Sequence, residues 1–193
     1  MDVLNRFEMT KDMQDKAFTT EWLEINGSGA YASSTVVGCH TRKYHGWLVV
    51  PDDSAKELLV LLSKVEAELK VGEQTLPLST HAYPGVLHPQ GYAFQTSFDQ
   101  EAGVRCHYQS PSGEIVVAWS LMLLPNKPTV VLRYQLLQAP QPALLTLKPL
   151  LAFRNRHHLT HQNEAFDQNI VRKDNYWLLF RFAGAVLQYQ QRC

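Results

Sequence analysis

Apolar and polar side chains alternate with a period of two along most of the chain, the pattern of half-buried β-strands. The clearest case sets Val104, Cys106 and Tyr108 against Arg105, His107 and Gln109. Tyr92, Phe94, Thr96 and Phe98 alternate with Ala93, Gln95 and Ser97, and Leu132 and Tyr134 oppose Arg133 and Gln135 within Thr129–Leu137. Ile115–Leu124 is apolar without a period and reads as a strand covered on both faces. Tyr44–Val50, stopping at Pro51, and Ala143–Lys148 read as further strands. Leu58–Lys70 is ambiguous. Leu58, Leu62, Val65 and Leu69 fit one helical face, whereas the LLVLL run followed by alternation fits a long strand closing into a hairpin at Lys70–Gln74. Its strand neighbours favour the second reading. Asp99–Gly103, Ser110–Gly113, Pro125–Pro128 and Ala139–Pro142 supply turns. Tyr176–Phe182 and Ala185–Tyr189 form a last hairpin around Gly184, and the stretch from Arg154 to Lys173 is too polar for a core strand. Residues 1–18 read as a charged N-terminal arm with one helical turn, and 19–193 as one domain of nine to eleven strands. Strands joined by short polar turns, without helical crossovers, imply an all-β antiparallel sandwich.

Composition narrows the function classes. The 193 residues carry 18 Lys plus Arg against 18 Asp plus Glu, with 45% hydrophobic and 19% charged residues. Such apolar content without net repulsion excludes global disorder. Zero net charge disfavours nucleic acid or an anionic membrane as partner, since both recruit a basic surplus. The charged fraction is below that of surfaces built for solubility, so part of the surface is expected to be covered. Cys39, Cys106 and Cys193 form no C-x-x-C pair, the polar start carries no signal-peptide core, and the apolar runs are too short for a membrane helix. A cytoplasmic protein is the expectation.

The candidate chemistry concentrates in Asn26–Trp47. Gly27-Ser28-Gly29 lacks both phosphate-loop spacings and reads instead as a loop needing positive φ or close backbone packing. Arg42, Lys43, Tyr44, His45 and Trp47 join hydrogen-bond donors to aromatic faces, the combination a sugar ring requires. The competing reading makes Tyr44 and Trp47 packed strand residues and Arg42 a surface residue. His157, His158 and His161 form H-H-x-x-H, but nothing in the spacing completes a zinc set, so no metal and no cofactor are expected. With Arg154 and Arg156 in the same run, Arg154 and His157 are better read as sugar or partner contacts. Among the carboxylates Glu21, Glu24, Glu66, Glu68, Asp99, Glu101, Glu114 and Glu164, no glycosidase-like pair stands out, and Ser33-Ser34 is not in a nucleophile-elbow context.

The stretch EWLEINGSGAYASSTVVGCHTRKYHGWLVV, Glu21–Val50, resembles the opening signature of the bacterial and archaeal glycogen debranching enzymes of the amylo-α-1,6-glucosidase type. Glu21, Trp22, Leu23, Asn26, Gly27, Gly29, Tyr31, Ala32, Ser33, Ser34, Thr35, Gly38, Thr41, Arg42, Tyr44, His45 and Gly46 carry it, followed by Leu61-Leu62-Ser63-Lys64 and Lys148–Thr160. Ala30, His40, Lys43 and Trp47 depart from the usual residues, and Lys for Arg at 43 removes a bidentate fork. The resemblance implies an N-terminal β supersandwich working with a C-terminal (α/α)₆ catalytic barrel on α-glucan. No helical run before Cys193 starts such a barrel, so the chain alone is expected to be inactive and the sandwich to lack its last strands. The resemblance places Asn26, Arg42, Lys43, Tyr44, His45, Trp47, Arg154 and His157 toward the substrate entrance or the barrel, with Gly27, Gly29, Gly38 and Gly46 shaping the loops beneath. The expected partners are that barrel and glycogen, and self-association would cover the exposed face in the chain by itself. The alternative is a stand-alone carbohydrate-binding module.

Overall fold

The computed structural model describes residues 6–8, 10, 15–52, 56–161, 170–173, 176–180 and 186–190. They divide into two compact units, Met1–Leu159 and Thr160–Cys193. The first contains, in chain order, β1 (Arg6–Glu8), β2 (Glu21–Ile25), β3 (Tyr31–Thr35), β4 (Gly46–Asp52), β5 (Glu57–Val71), β6 (Gln74–Pro77), β7 (Thr80–Tyr83) and β8 (Val86–Gln90). A 3₁₀ helix (Gly91–Phe94) follows, then β9 (Gln95–Asp99), β10 (Val104–Gln109), β11 (Val116–Leu123), β12 (Val130–Gln138) and β13 (Ala143–Asn155). The second unit holds β14 (Ile170–Lys173), β15 (Tyr176–Phe180) and β16 (Val186–Gln190), paired antiparallel in that order. The expected all-β antiparallel sandwich is therefore observed, with more and shorter strands than the nine to eleven read from the pattern. The closing hairpin is β15–β16; its turn at Gly184 lies outside the described residues.

Two large sheets dominate the first unit. One runs β1-β9-β10-β11-β12 and the other β13-β5-β4-β3-β2, with β6 added to β5 and β7–β8 as a separate ribbon. Alternation fixes which side faces in. On β10, Val104, Cys106 and Tyr108 are buried while Arg105 and Gln109 are exposed. β11 contributes Val117, Trp119 and Leu121 to the core and β4 contributes Trp47, Leu48 and Val50. The rings of Trp47 and Trp119 meet between the sheets at 5.1 Å, 32° from parallel. The Trp119 indole N–H donates to the Tyr108 hydroxyl at 3.3 Å, giving the buried polar tip of each ring a partner.

β5 explains its own ambiguous sequence pattern. β13 pairs along most of one edge, while β4 and then β6 share the other. Register slips fall at Leu62–Lys64 opposite Leu150–Leu151 and beside Leu48–Val49. A bulge shifts the side-chain phase by one residue. Leu62 and Val65 therefore both reach the core three positions apart, imitating a helical period within a continuous strand.

Other local readings change. The alternation from Tyr92 continues only on β9. Gly91 packs so closely on Ser79 that an added Cβ would lie 2.6 Å from its backbone N and O, and the Tyr92 N–H donates to Thr80 Oγ1 at 2.9 Å. Those contacts turn 91–94 into a 3₁₀ helix. Within the N-terminal arm, residues 15–17 are helical as read, but Arg6–Glu8 adds an edge strand to β9, in register Phe7 with Phe98. β13 continues to Asn155, into the segment read as polar. No helix among the described residues is long and apolar enough to cross a membrane.

Replacing Trp119 with Ala empties the inter-sheet contact and orphans the Tyr108 hydroxyl. Urea denaturation should report a loss of about 3–5 kcal/mol, the range for truncating a buried aromatic.

Candidate functional site

The loop between β3 and β4, residues 36–45, stands on a buried polar base. Thr35 Oγ1 accepts the Cys39 N–H at 3.0 Å and donates to the Cys39 carbonyl at 2.8 Å, closing the first turn. The Lys64 ammonium, buried under the loop, donates to the Gly38 carbonyl at 2.8 Å and across to the Thr80 carbonyl of β7 at 2.6 Å. Its burial pushes the Lys64 pKa down to about 8. His40 sits between Ser63 Oγ, 3.3 Å from its Nδ1, and the His45 ring, 5.5 Å away centre to centre.

His45 organises the turn that follows. Its backbone N–H donates to the Arg42 carbonyl at 3.1 Å, while its Nδ1 accepts the N–H groups of Thr41 and Arg42 at 3.2 and 3.4 Å. With Nδ1 accepting, the neutral ring carries its proton on Nε2, which lies 3.3 Å from Glu21 Oε1. The same oxygen receives the Arg42 Nε–H at 2.6 Å. Burial lowers the His45 pKa, partly offset by Glu21. Glu21 therefore fixes two neighbouring donors, one buried and one on the exposed Arg42.

The end of β13 completes the arrangement. The Tyr31 hydroxyl donates to the Tyr44 carbonyl at 3.0 Å. The Arg154 guanidinium donates to the Lys43 carbonyl and to the carbonyls of Asn155, Arg156 and His158, at 3.3, 3.4 and 3.0 Å for the last three. Lys43 Nζ donates to the His157 carbonyl at 3.0 Å and lies 5.3 Å from the centre of the Tyr44 ring. Tyr44 and His157 meet edge to face at 5.6 Å. His157 Nε2 accepts the Arg156 Nε–H at 3.3 Å, so Nδ1–H is the donor to the Tyr44 hydroxyl at 3.4 Å. That leaves the phenolic hydrogen directed away from this pair.

Of the residues singled out in the sequence, Arg42, Lys43, Tyr44, His45, Arg154 and His157 thus come together, joining segments more than a hundred positions apart. They lie on the outer face of the six-stranded sheet. Cross-strand partners share a face, and the chain of partners Ser33–Gly46, Val49–Val60 and Val60–Arg154 crosses that face. Asn26 and Trp47 lie elsewhere. Asn26 Nδ2 donates to the carbonyls of Leu124 and Lys127, and its carbonyl accepts the Asn126 N–H at 2.8 Å, so it fastens the β2–β3 turn to the β11–β12 turn. Trp47 belongs to the core, as the packed-strand reading has it. Gly27, at φ +82°, sits where an added Cβ would meet Asn126 Oδ1 at 2.9 Å. Gly46 is required by space: its Cβ would strike methyls of Val49 and Val60 at 2.8 and 2.9 Å. Gly29 and Gly38 also have positive φ.

Sequence reasoning missed Lys64, His40 and Tyr31 as supports; no local pattern marks a side chain whose partners come from other strands. Glu66 is ion-paired to Lys148 at 3.0 Å and lies 3.2 Å from His81 Nε2; the Lys148 hydrogen bond holds its carboxyl below the usual range, opposite to what a general acid needs. Among the described residues no cluster of His, Cys, Asp and Glu is arranged to hold a metal ion.

Burial lowers the pKa values of His40, His45 and His81, the last to about 4. The unfolded chain takes up these protons near pH 6.5 while the folded chain refuses them. Their contribution to stability is complete above pH 6.5 and lost as pH falls toward 4. The urea midpoint should be lower at pH 5 than at pH 7.5, and His81→Gln should flatten the difference.

The family model described as "Glycogen debranching enzyme N terminal" matches residues 20–190. No curated protein and no solved structure matches the chain.

Proposed function

The chain belongs to the glycogen debranching enzyme N-terminal family, and on that premise we propose that its Thr41–His45 loop and Arg154–His157 segment form the face that meets a helical catalytic domain and borders the path of α-glucan to it. The observation that carries this reading is the lock between Lys43–Tyr44 and Arg154–His157. An exposed aromatic ring and exposed cations are held by backbone carbonyls, an ion pair and a buried base, not left as mobile surface side chains. Holding them in advance lowers the ordering cost of binding. Arg42 offers the rest of its guanidinium outward after Nε is taken by Glu21, and a planar fork suits a carboxylate or vicinal hydroxyls. Tyr44, 39% exposed, offers a ring face to the C–H side of a sugar or to an apolar side chain. His45 is a positioning residue, buried under Arg42. Lys43, Arg154 and His157 fix the ring. Asn26 and Trp47 act at a distance, by holding the sheets together.

In an enzyme joining this domain to its catalytic barrel, Arg42→Ala and Tyr44→Ala should each lower kcat/KM for a branched limit dextrin about tenfold, equivalent to about 1.4 kcal/mol, with the melting temperature little changed. Unchanged debranching kinetics in both variants would contradict the placement. The chain by itself should release no glucose from the same dextrin; release that is abolished by Glu66→Gln would overturn the reading of this domain as non-catalytic.

A further inference from the structure

Beside the Tyr44–His157 contact the surface opens into a groove of about 540 Å³, lined by Pro51, Asp52, Lys56, Glu57, Leu58, Arg156 and His157. Its place in the fold is well fixed. β4 and β5 pair Pro51 with Leu58 and Asp52 with Glu57, and the Arg156 N–H donates to the Leu58 carbonyl at 2.9 Å. Glu57 Oε2 accepts from the Asn155 side chain, so a carboxylate of β5 and the end of β13 hold one another. The volume is within the range of small-molecule sites, about 300–1,000 Å³.

The lining chemistry selects a class of ligand. Two carboxylates, Asp52 and Glu57, face two cations, Lys56 and Arg156, so the groove carries no net charge. A phosphate site needs a cationic surplus and a cation site an anionic one; neither is present. What the groove does offer is acceptors and donors side by side, next to the apolar surfaces of Pro51 and Leu58. Hydroxyl groups both donate and accept, and the axial C–H side of a pyranose is apolar. The Tyr44 hydroxyl, whose own hydrogen points away from His157, extends the donor set toward the candidate docking loop.

We propose that this groove is a binding subsite for one or two glucosyl units of an α-glucan chain, distinct from the contact made by Arg42 and Tyr44 and lying beside it. Choosing glucan among neutral polyols rests on the family reading above; the preference for a neutral, hydroxyl-rich ligand rests on the balanced lining alone. The subsite holds the chain weakly, since it is open to solvent, and it increases the time a branched chain spends next to the docking face.

The test is a titration of the 193-residue chain with maltotetraose, followed by amide chemical shifts, with inorganic phosphate titrated separately. Saturable shifts centred on residues 51–58 and 156–157, with Kd in the millimolar range (about 1 mM), are expected for the sugar and not for phosphate. Arg156→Ala and Glu57→Gln should each weaken the sugar at least fivefold and together at least twentyfold, whereas Arg105→Ala on β10 should change Kd less than twofold. Far-UV circular dichroism identifies any variant that fails to fold, and the other single variant then decides. Absence of saturable shifts in the groove, unaltered affinity in the folded variants, or tighter binding of phosphate than of sugar would each overturn the subsite. Sugar shifts confined to Arg42–Tyr44 would overturn it too while leaving the docking face intact. Loss of debranching on Arg42→Ala, with no groove binding, would separate the two proposals in the same way.

Discussion

A single buried ammonium holds the functional face in place. Removing a lysine charge from water costs several kcal/mol unless the charge finds good partners. Lys64 finds two carbonyls, Gly38 on the loop before Thr41 and Thr80 on β7. The bonds are short and charge-assisted, the kind that fixes geometry as well as contributing energy. Because the Gly38 carbonyl is committed downward, Thr35 can close on Cys39, the His45 ring can tuck beneath the backbone of Thr41 and Arg42, and Glu21 can collect Arg42. Each step constrains the next, so an exposed loop behaves as an extension of the sheet beneath it.

The second constraint is space. The outer face of the six-stranded sheet is itself closely packed under the loop, with Val49 and Val60 fully buried and Gly46 leaving no room for a Cβ. This small outer core lies on the side of the sheet opposite the Trp47–Trp119 core. It explains how a chain with 19% charged residues spends its apolar surface, on both faces of one sheet. Exposed Leu23 and Ile25 on β2, at 57% and 72% exposure, lie at the edge of this same face, since they pair with Ser33 and Tyr31. Low charge in the composition and the family membership point in one direction: a domain with a face meant to be met.

How much of this was legible depended on range. Val104, Cys106 and Tyr108 on β10, and the turns at Ser110–Gly113 and Pro125–Pro128, follow from local alternation and turn chemistry, and the structure has them as read. The bulge in β5 was present in the sequence only as a false helical period, because a phase slip needs its partner strand to be understood. The 3₁₀ helix at Gly91–Phe94 and the edge strand at Arg6–Glu8 depend on contacts with Ser79, Thr80 and β9 that no window covers. At the site, Arg42, Tyr44 and His45 stood out by residue type. The partnership of Lys43 with His157 bridges 114 positions and Asn26 reaches Lys127 across 101, beyond any spacing rule. Trp47 shows the limit of residue type alone: an indole in a sugar-like cluster turned out to be a core residue.

The central claim is that the Thr41–His45 loop and the Arg154–His157 segment form one preformed face covered by the catalytic domain. Amide hydrogen exchange tests it directly, comparing the 193-residue chain with an enzyme in which the same domain is joined to its helical barrel. The account predicts that amides at 41–45 and 154–158, already slow for surface loops in the chain alone, gain at least tenfold further protection in the joined enzyme, while β10 and β11 are unchanged. Equal exchange of both segments in the two proteins would contradict it.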